Sequence, residues 1–142
     1  MKIIIINGPN LNLLGKRDEN QYGNLTLEKI EEITKTEFPE DEFVFFQSNL
    51  EGEIVEKLQN SVKDFDGILL NPGGYTHTSV AIRDALEIVK IPKIEVHLSN
   101  VSAREDFRKV MITTPCTNGY VSGFKENSYL AGVYLLKKLN VK

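Results

Sequence analysis

The sequence is poor in thiols and has no long apolar run. Cys116 is the single cysteine among 142 residues, so an internal disulfide is impossible and a cysteine-rich metal site is excluded. A run of about 18 apolar residues, which a membrane-spanning helix needs, does not occur. Only four isoleucines follow Lys2 before the turn at residue 7, too few for a signal peptide. We therefore expect a cytoplasmic protein without a membrane partner.

The chain also lacks a strong excess of either charge. Its 17 lysines and arginines stand against 20 aspartates and glutamates, which gives a net charge of -3 and disfavours nucleic acid as a partner. The composition, 41% hydrophobic and 26% charged, is typical of a soluble globular protein. Because the length suits one domain, we predict a single domain over residues 1–142.

Several motifs of common enzyme classes are missing. There is no Gly-x-Gly-x-x-Gly fingerprint, no Walker loop and no Gly-x-Ser-x-Gly nucleophile elbow. The two histidines lie in separate predicted elements, which disfavours a metal site, and Cys116 has no linked motif, so we interpret it as an incidental thiol. Metal binding and nucleophilic hydrolysis are therefore disfavoured, and acid–base chemistry remains.

Short apolar runs alternate with helical patterns along the chain. Strands are predicted at residues 3–6, 43–46, 67–70, 94–98 and weakly 119–121, and helices from residue 25 and at 51–63, 81–89, 103–109 and 128–139. This alternation predicts an α/β, doubly wound sheet of parallel strands. Five strands in so small a domain favour the flavodoxin-like order 2-1-3-4-5. Residues 11–24 form a long loop typical of a lid.

The stretch from Asn71 to Asp84, NPGGYTHTSVAIRD, follows the third predicted strand. Ligands bind at the carboxyl ends of strands in such sheets, and Gly73 and Gly74 allow a ligand to approach the backbone closely. The next helix needs only one N-cap, yet three hydroxyl side chains are available: Thr76, Thr78 and Ser79. The surplus of polar groups predicts a site.

Three segments are expected to converge there, because the predicted topology places their strand ends at one edge. They carry chemistry-bearing side chains: Asn10, Arg17, Tyr22, Asn71, His77, Glu95, His97, Ser99 and Arg108. Arginine can clamp a carboxylate, amides and hydroxyls can orient alcohols, and histidine exchanges protons near neutral pH. The set predicts acid–base chemistry on a small, anionic, hydroxylated substrate.

Each group also has a structural interpretation when it is taken alone. Arg17 and Tyr22 suit an ordinary surface loop, and His77 suits a helix cap. Arg108 suits a solvated helix charge. Glu95 and His97 point to one face of their strand, because strand side chains alternate. They suit either a buried core pair or a carboxylate that fixes an imidazole tautomer, and we favour the second.

Long blocks of the sequence, taken together and in order, resemble type II 3-dehydroquinate dehydratase. They are INGPNLNLLGKR with Tyr22 and Gly23, QSNLEGEI, NPGGYTHTSVAIRDAL, IEVHLSN with Arg104 and Arg108 downstream, and SGFKENSYLAG. The resemblance covers nearly the whole chain. It implies a flavodoxin-like lyase that converts 3-dehydroquinate to 3-dehydroshikimate in the shikimate pathway of aromatic biosynthesis, or in quinate breakdown. That family uses no metal and no organic cofactor.

The resemblance also implies a role for each matching residue. Tyr22 would remove the proton beside the ketone, Arg17 would lower the pKa of Tyr22, and His97 would protonate the departing hydroxyl. Further roles fall to supporting groups: Glu95 orients His97, Asn10 holds a water on the enolate oxygen, Asn71, His77 and Arg108 bind hydroxyls, and Leu98 and Ser99 hold the carboxylate. Asp84 would reach the site of a neighbouring subunit in a homo-oligomer, usually a dodecamer built of trimers.

Some positions depart from the family pattern. Asp18 to Gln21 stand where the family often has Glu-Pro, and losing that proline should make the lid more flexible. Gly74 stands where alanine is common, and Lys125 where glycine is common. These departures bear on lid order and local rigidity, because none of them removes a catalytic group.

Other classes fit less well. The type I route to the same product uses a lysine Schiff base in a TIM barrel, which takes about 250 residues. An FMN carrier needs a phosphate-binding loop after strand one, and a phospho-receiver needs acidic residues there. This chain has Asn7-Gly8-Pro9 at that position instead. A non-catalytic scaffold would not need Arg17, Tyr22 and His97.

Overall fold

The computed structural model describes residues 1–16, 20 and 24–141. In these ranges it contains a sheet of five parallel strands in the order β2-β1-β3-β4-β5. The strands are β1 (Lys2–Asn7), β2 (Glu42–Gln47), β3 (Gly67–Asn71), β4 (Lys93–His97) and β5 (Gly119–Ser122). The predicted fold class and strand order are confirmed.

The central strand β1 shows why the sheet is buried on both faces. Its isoleucines are almost completely buried and alternate between two cores: Ile3 and Ile5 face one, and Ile4 and Ile6 face the other. A continuous β-branched run is typical of a parallel strand that is covered on both sides. Helices must therefore pack against both faces of the sheet.

Helices supply those two layers. Within the described ranges the α-helices are α1 (Leu27–Glu37), α2 (Glu51–Asp64), α3 (Val80–Ile88) and α4 (Glu126–Leu139). α1 and α4 pack on the face of Ile3, and α2 and α3 pack on the face of Ile4. Thr26 caps α1 by accepting a hydrogen bond from Lys29 N–H. Because Ser79 caps α3, Thr76 and Thr78 are left for other roles.

Two local predictions were wrong. The helix predicted at 103–109 is replaced by two 3-10 turns, Val101–Ala103 and Asp106–Lys109, because Arg104 between them has extended backbone. The apolar pattern of α2 predicts that Val62 faces inward, but Val62 is 42% exposed and Ser61 is buried instead. On the last helix Tyr134, which belongs to the apolar pattern, is exposed. The buried face of that helix consists of Ser128, Tyr129, Gly132, Val133 and Leu136.

One departure from the family pattern, the lysine at position 125 before α4, stands where the backbone conformation favours glycine. Lys125 has φ 52°, in the region that favours glycine, and glycine is common there in the family. A side chain held in that region costs about 1–3 kcal/mol. The backbone at this corner therefore keeps a glycine-like conformation although the residue is lysine.

The loop that was predicted as a lid is described only in part. Leu11–Leu13 forms a short 3-10 turn, and Arg17 and Tyr22 lie outside the described residues. No helix in the described part of the chain is long and apolar enough to cross a membrane.

Gly8 lies where the loops after β1 and β3 meet. Its N–H donates to the Asn71 carbonyl at 2.8 Å, and a Cβ at this position would lie 2.5 Å from the Pro72 carbonyl oxygen. We expect Gly8→Ala to lower the free energy of unfolding by about 1–3 kcal/mol, because backbone cannot yield as a side chain can. Chemical denaturation would measure it. Gly52→Ala is the control, since a Cβ there meets nothing within 4 Å, and an equal loss in both variants would contradict the steric explanation.

Candidate active site

A cavity of about 100 Å³ lies at the carboxyl ends of β1, β3 and β4. Its wall consists of Pro9, Asn10, Leu11, Asn71, Gly73, Gly74, His77, His97, Leu98, Ser99, Val101, Arg104 and Arg108. Seven of the predicted site residues are therefore gathered around one space: Asn10, Asn71, His77, His97, Leu98, Ser99 and Arg108. The parallel topology causes this convergence, because all its strands end at the same edge.

His97 and Glu95 form a buried pair at the end of β4. The His97 Nε2 and Glu95 Oε1 atoms are 2.6 Å apart, and the two side chains are 8% and 0% exposed. A carboxylate oxygen only accepts hydrogen bonds, so Nε2 carries the proton that joins the pair. Since His97 also lines the cavity, Nδ1 is the ring nitrogen left to exchange a proton with a bound molecule.

His77 is the last residue of the glycine-rich turn Gly73–His77, and a hydrogen bond at Nδ1 holds its ring. Its Nδ1 lies 2.8 Å from the Val110 carbonyl oxygen, and a carbonyl accepts only, so Nδ1–H is the donor. Burial lowers the pKa of His77 below its ordinary value, and the nearby Arg108 acts in the same direction. Nε2 is therefore an unprotonated acceptor that suits a ligand hydroxyl.

Asn71 belongs to a buried polar network. Its Nδ2 donates to the Tyr129 hydroxyl at 2.9 Å, and its Oδ1 accepts from Gly73 N–H at 3.1 Å. The Tyr129 hydroxyl donates in turn to Asn7 Oδ1 at 2.6 Å, and burial raises its pKa far above the ordinary value. Because the Tyr129 hydroxyl takes only one of the two Nδ2 hydrogens, Asn71 offers the cavity its second amide hydrogen.

Asn10 opens the loop after β1 with a left-handed backbone, φ 68°. Its N–H donates to Asn49 Oδ1 at 3.0 Å, which ties the loop to the segment after β2. Asparagine tolerates this conformation better than most residues. The contact leaves the Asn10 side chain in the cavity wall.

Two arginines give the cavity positive charge. Arg108 donates through Nε to Glu105 at 2.6 Å, and its side chain is 21% exposed. Arg104 is still more buried, at 13%, and both line the cavity. An anionic ligand is the natural complement of such a wall. In the residues that the structure describes, no group of three or more histidine, cysteine, aspartate or glutamate side chains could hold a metal ion.

Some predicted residues are not in this wall. Arg17 and Tyr22 lie outside the described residues, and Glu95 lies behind His97. Asp84 is exposed on α3, away from the cavity of its own chain.

Sequence reasoning assigned no role to Arg104 or Tyr129, nor to Thr113 and Thr114, which bond Glu95. It counted Thr76 only among the surplus hydroxyls of the glycine-rich turn. Arg104 was noted only as part of a block, and Tyr129 was hidden in an apolar helix pattern. The signal that could have identified it is a tyrosine on the buried face beside a glycine, since a buried hydroxyl needs a hydrogen-bond partner.

Comparisons with known proteins identify the family of this chain. A family model described as dehydroquinase class II matches residues 1–137. A 3-dehydroquinate dehydratase of Fusobacterium nucleatum is 52% identical over 99% of both chains. One from Thermotoga neapolitana is 48% identical over 99% of this chain and 97% of its own.

A solved structure gives the same result. The type II dehydroquinase of Butyrivibrio crossotus superposes with a TM-score of 0.93 at 45% identity, over 96% of this chain and 97% of that one. The chain therefore belongs to the class II dehydroquinase family.

Proposed function

We propose that this protein is a hydro-lyase that converts 3-dehydroquinate to 3-dehydroshikimate and water in the shikimate pathway. Relatives that share about half of their residues with this chain over its full length carry the name of that enzyme. The observation that carries the proposal is the buried Glu95–His97 pair, whose histidine lines a cavity with two arginines. This is an acid–base group beside a site for a small anion.

The reaction needs a base, a stabilised enolate and an acid. Tyr22, activated by Arg17, takes a proton from the carbon beside the ketone, and the electron pair forms the enolate. A water held by Asn10 hydrogen-bonds the enolate oxygen. The enolate then collapses and the carbon–oxygen bond of the leaving hydroxyl breaks. His97, carrying a hydrogen on both ring nitrogens at this stage, gives its Nδ1 proton to the departing hydroxyl to make water and returns to the neutral form with its hydrogen on Nε2. The roles of Arg17 and Tyr22 rest on the family resemblance.

The remaining cavity residues hold the substrate in this proposal. Asn71 donates its second Nδ2 hydrogen to a hydroxyl oxygen, because the first is bound by Tyr129. His77 accepts from a hydroxyl hydrogen and Arg108 binds a hydroxyl. The substrate carboxylate lies at Leu98 and Ser99. The donor and acceptor set therefore discriminates among the hydroxyls of the ring.

The test of the proposal is ultraviolet absorbance over time with purified protein and 3-dehydroquinate. The product has a carbonyl conjugated to a carbon–carbon double bond, so a new band should rise. We expect the same rate with a metal chelator, because the proposed mechanism uses no metal. A flat trace from folded protein would overturn the proposal, and loss of the band on adding chelator would overturn the cofactor-free mechanism.

Substrate affinity should depend on pH through His77. The lowered pKa leaves more of the ring neutral at the ordinary histidine value of about 6.5 than in a free histidine, so the dissociation constant should start to rise only at a lower pH. Below the lowered pKa, protonation of Nε2 removes the acceptor, and affinity should weaken by up to roughly tenfold per pH unit. The contribution of His77 to the free energy of unfolding has the same sign. It is fully present above pH 6.5, the ordinary pKa of histidine, and is lost as the pH falls through the lowered pKa. His77→Asn is the control for titration calorimetry, since its binding should lack this dependence.

We also propose a cytoplasmic homo-oligomer, a dodecamer built of trimers, in which Asp84 reaches a neighbouring site. Its exposure on α3 leaves the carboxylate available for this. Asp84→Ala should raise KM by roughly tenfold, typical of a lost charged hydrogen bond, or reduce the particle mass. Kinetics and light scattering would measure both. Asp64→Ala, at the exposed end of α2, is the control, and unchanged KM and mass for Asp84→Ala would remove Asp84 from the site.

A further inference from the structure

Behind the cavity, a cluster of hydroxyls surrounds the Glu95 carboxylate. Thr113 Oγ1 donates to Glu95 Oε2 at 2.8 Å, and Thr114 Oγ1 donates to Oε1 at 3.1 Å. Thr76 Oγ1 also donates to Oε1. Glu95, Thr76 and Thr113 are 0% exposed. The carboxylate is thus removed from water and solvated by side chains instead.

The hydrogen-bond donors around Glu95 determine which ring nitrogen of neutral His97 carries its hydrogen. Each threonine hydroxyl has one hydrogen, and His97 Nε2 adds a fourth donor from the described residues. Oε1 accepts from Thr76, Thr114 and His97 Nε2, and Oε2 accepts from Thr113. A bare Nε2 would place a nitrogen lone pair 2.6 Å from a carboxylate oxygen with no hydrogen between the two atoms. The hydroxyl donors hold the carboxylate in place as an acceptor for that hydrogen. The three hydroxyls therefore hold the hydrogen of neutral His97 on Nε2.

The same segment reaches the second histidine. Ile112 N–H donates to the Thr76 carbonyl at 2.8 Å, which fastens residues 110–114 to the turn Gly73–His77. The Val110 carbonyl accepts from His77 Nδ1 at 2.8 Å. One short segment thus presents a carbonyl to His77 and two hydroxyls to the carboxylate behind His97. The orientations of both histidines depend on it.

We propose that Thr76, Thr113 and Thr114 are positioning residues that set the tautomer of His97 through Glu95. The inference rests on the proposed function, in which His97 Nδ1 faces the leaving hydroxyl. None of the three threonines lines the cavity. They act on the proton-transfer step and leave the substrate contacts alone, so kcat should change and KM should not.

The experiment compares Thr113→Val and the double variant Thr113→Val/Thr114→Val with Thr113→Ser. Valine keeps the shape and removes the hydroxyl, whereas serine restores it. We expect kcat to fall by roughly 10- to 100-fold in the valine variants, as for other groups that orient a working histidine, with KM within about twofold. Serine should recover most of the loss. Thr34→Val, another buried threonine whose hydroxyl bonds Ile30 O within α1, should leave kcat unchanged.

A second readout does not need activity. Nitrogen-15 spectra of the imidazoles show which ring nitrogen carries the proton, and we expect the His97 pattern to move towards a mixture of tautomers in the valine variants. Unchanged kcat and unchanged His97 signals would overturn the proposal. Should Thr113→Val fail to fold, Thr114→Val at a half-buried position gives the same decision. A wild-type protein that lacks the dehydration would defeat the proposed function, while the nitrogen signals would still decide the role of the threonines.

Discussion

His97→Gln is expected to lower kcat by about 10²- to 10⁴-fold, the usual contribution of a positioned proton donor. The glutamine amide can still donate to Glu95 where His97 Nε2 does at 2.6 Å, so the buried carboxylate keeps its donors. The glutamine amide, however, cannot deliver a proton to a leaving hydroxyl. Substrate binding should be retained, and steady-state kinetics with calorimetry would separate the two effects.

Isotope exchange in this variant can identify the missing step. If His97 acts only on the leaving group, the enolate still forms, and it recovers a deuteron from D₂O instead of losing hydroxide. Proton NMR should then show loss of the signal beside the ketone without product. Dehydration within tenfold of wild type would rule out His97 as the acid, and absence of exchange would assign it to the earlier step.

Tyr22→Phe is expected to abolish turnover, with kcat lower by about 10³-fold or more, because the proton acceptor is lost. A nearby guanidinium favours the phenolate over its ordinary pKa of about 10, which is the role proposed for Arg17. The substrate should still bind, since phenylalanine keeps the ring. The ultraviolet assay gives kcat, and calorimetry gives the dissociation constant.

The exchange experiment should give the opposite result for this variant. Without the base no enolate forms, so deuterium should not enter the substrate. Tyr134→Phe, an exposed tyrosine on α4, is the control and should behave as wild type. Near-normal turnover or exchange in Tyr22→Phe would show that another group removes the proton.

The fold was predictable because its signals are local and repeated. The β-branched run of β1 and the alternation of strands with helices are visible in the sequence, and parallel topology then restricts the strand order. The errors lie in short segments and at single positions, where only a few residues determine the local structure. Ser61 replaced Val62 in the core because burial follows the helical spacing from Ile54 and Leu58, and a short polar side chain fits there.

The site was predictable at its cavity wall and unpredictable behind it. Residues that face a ligand carry reactive groups at strand ends, so His77, His97 and Arg108 were recognisable. Thr113 and Tyr129 carry no such mark. Their roles come from contacts across long stretches of chain, 18 residues to Glu95 and 122 to Asn7, and no local pattern encodes those distances. Packing alone brings them together.

The bond between Tyr129 and Asn7 also bears on how the protein is made. Its two ends are separated by 122 residues, and Tyr129 lies on the last helix of the described chain. During synthesis the amino-terminal strands emerge first, but the Asn7 and Asn71 amides lack their shared hydroxyl until α4 has left the ribosome. A nascent chain arrested before that point should expose two unpaired amides at the centre of its sheet. The cavity wall at Asn71 therefore acquires its final hydrogen bonds only after α4 has been synthesised.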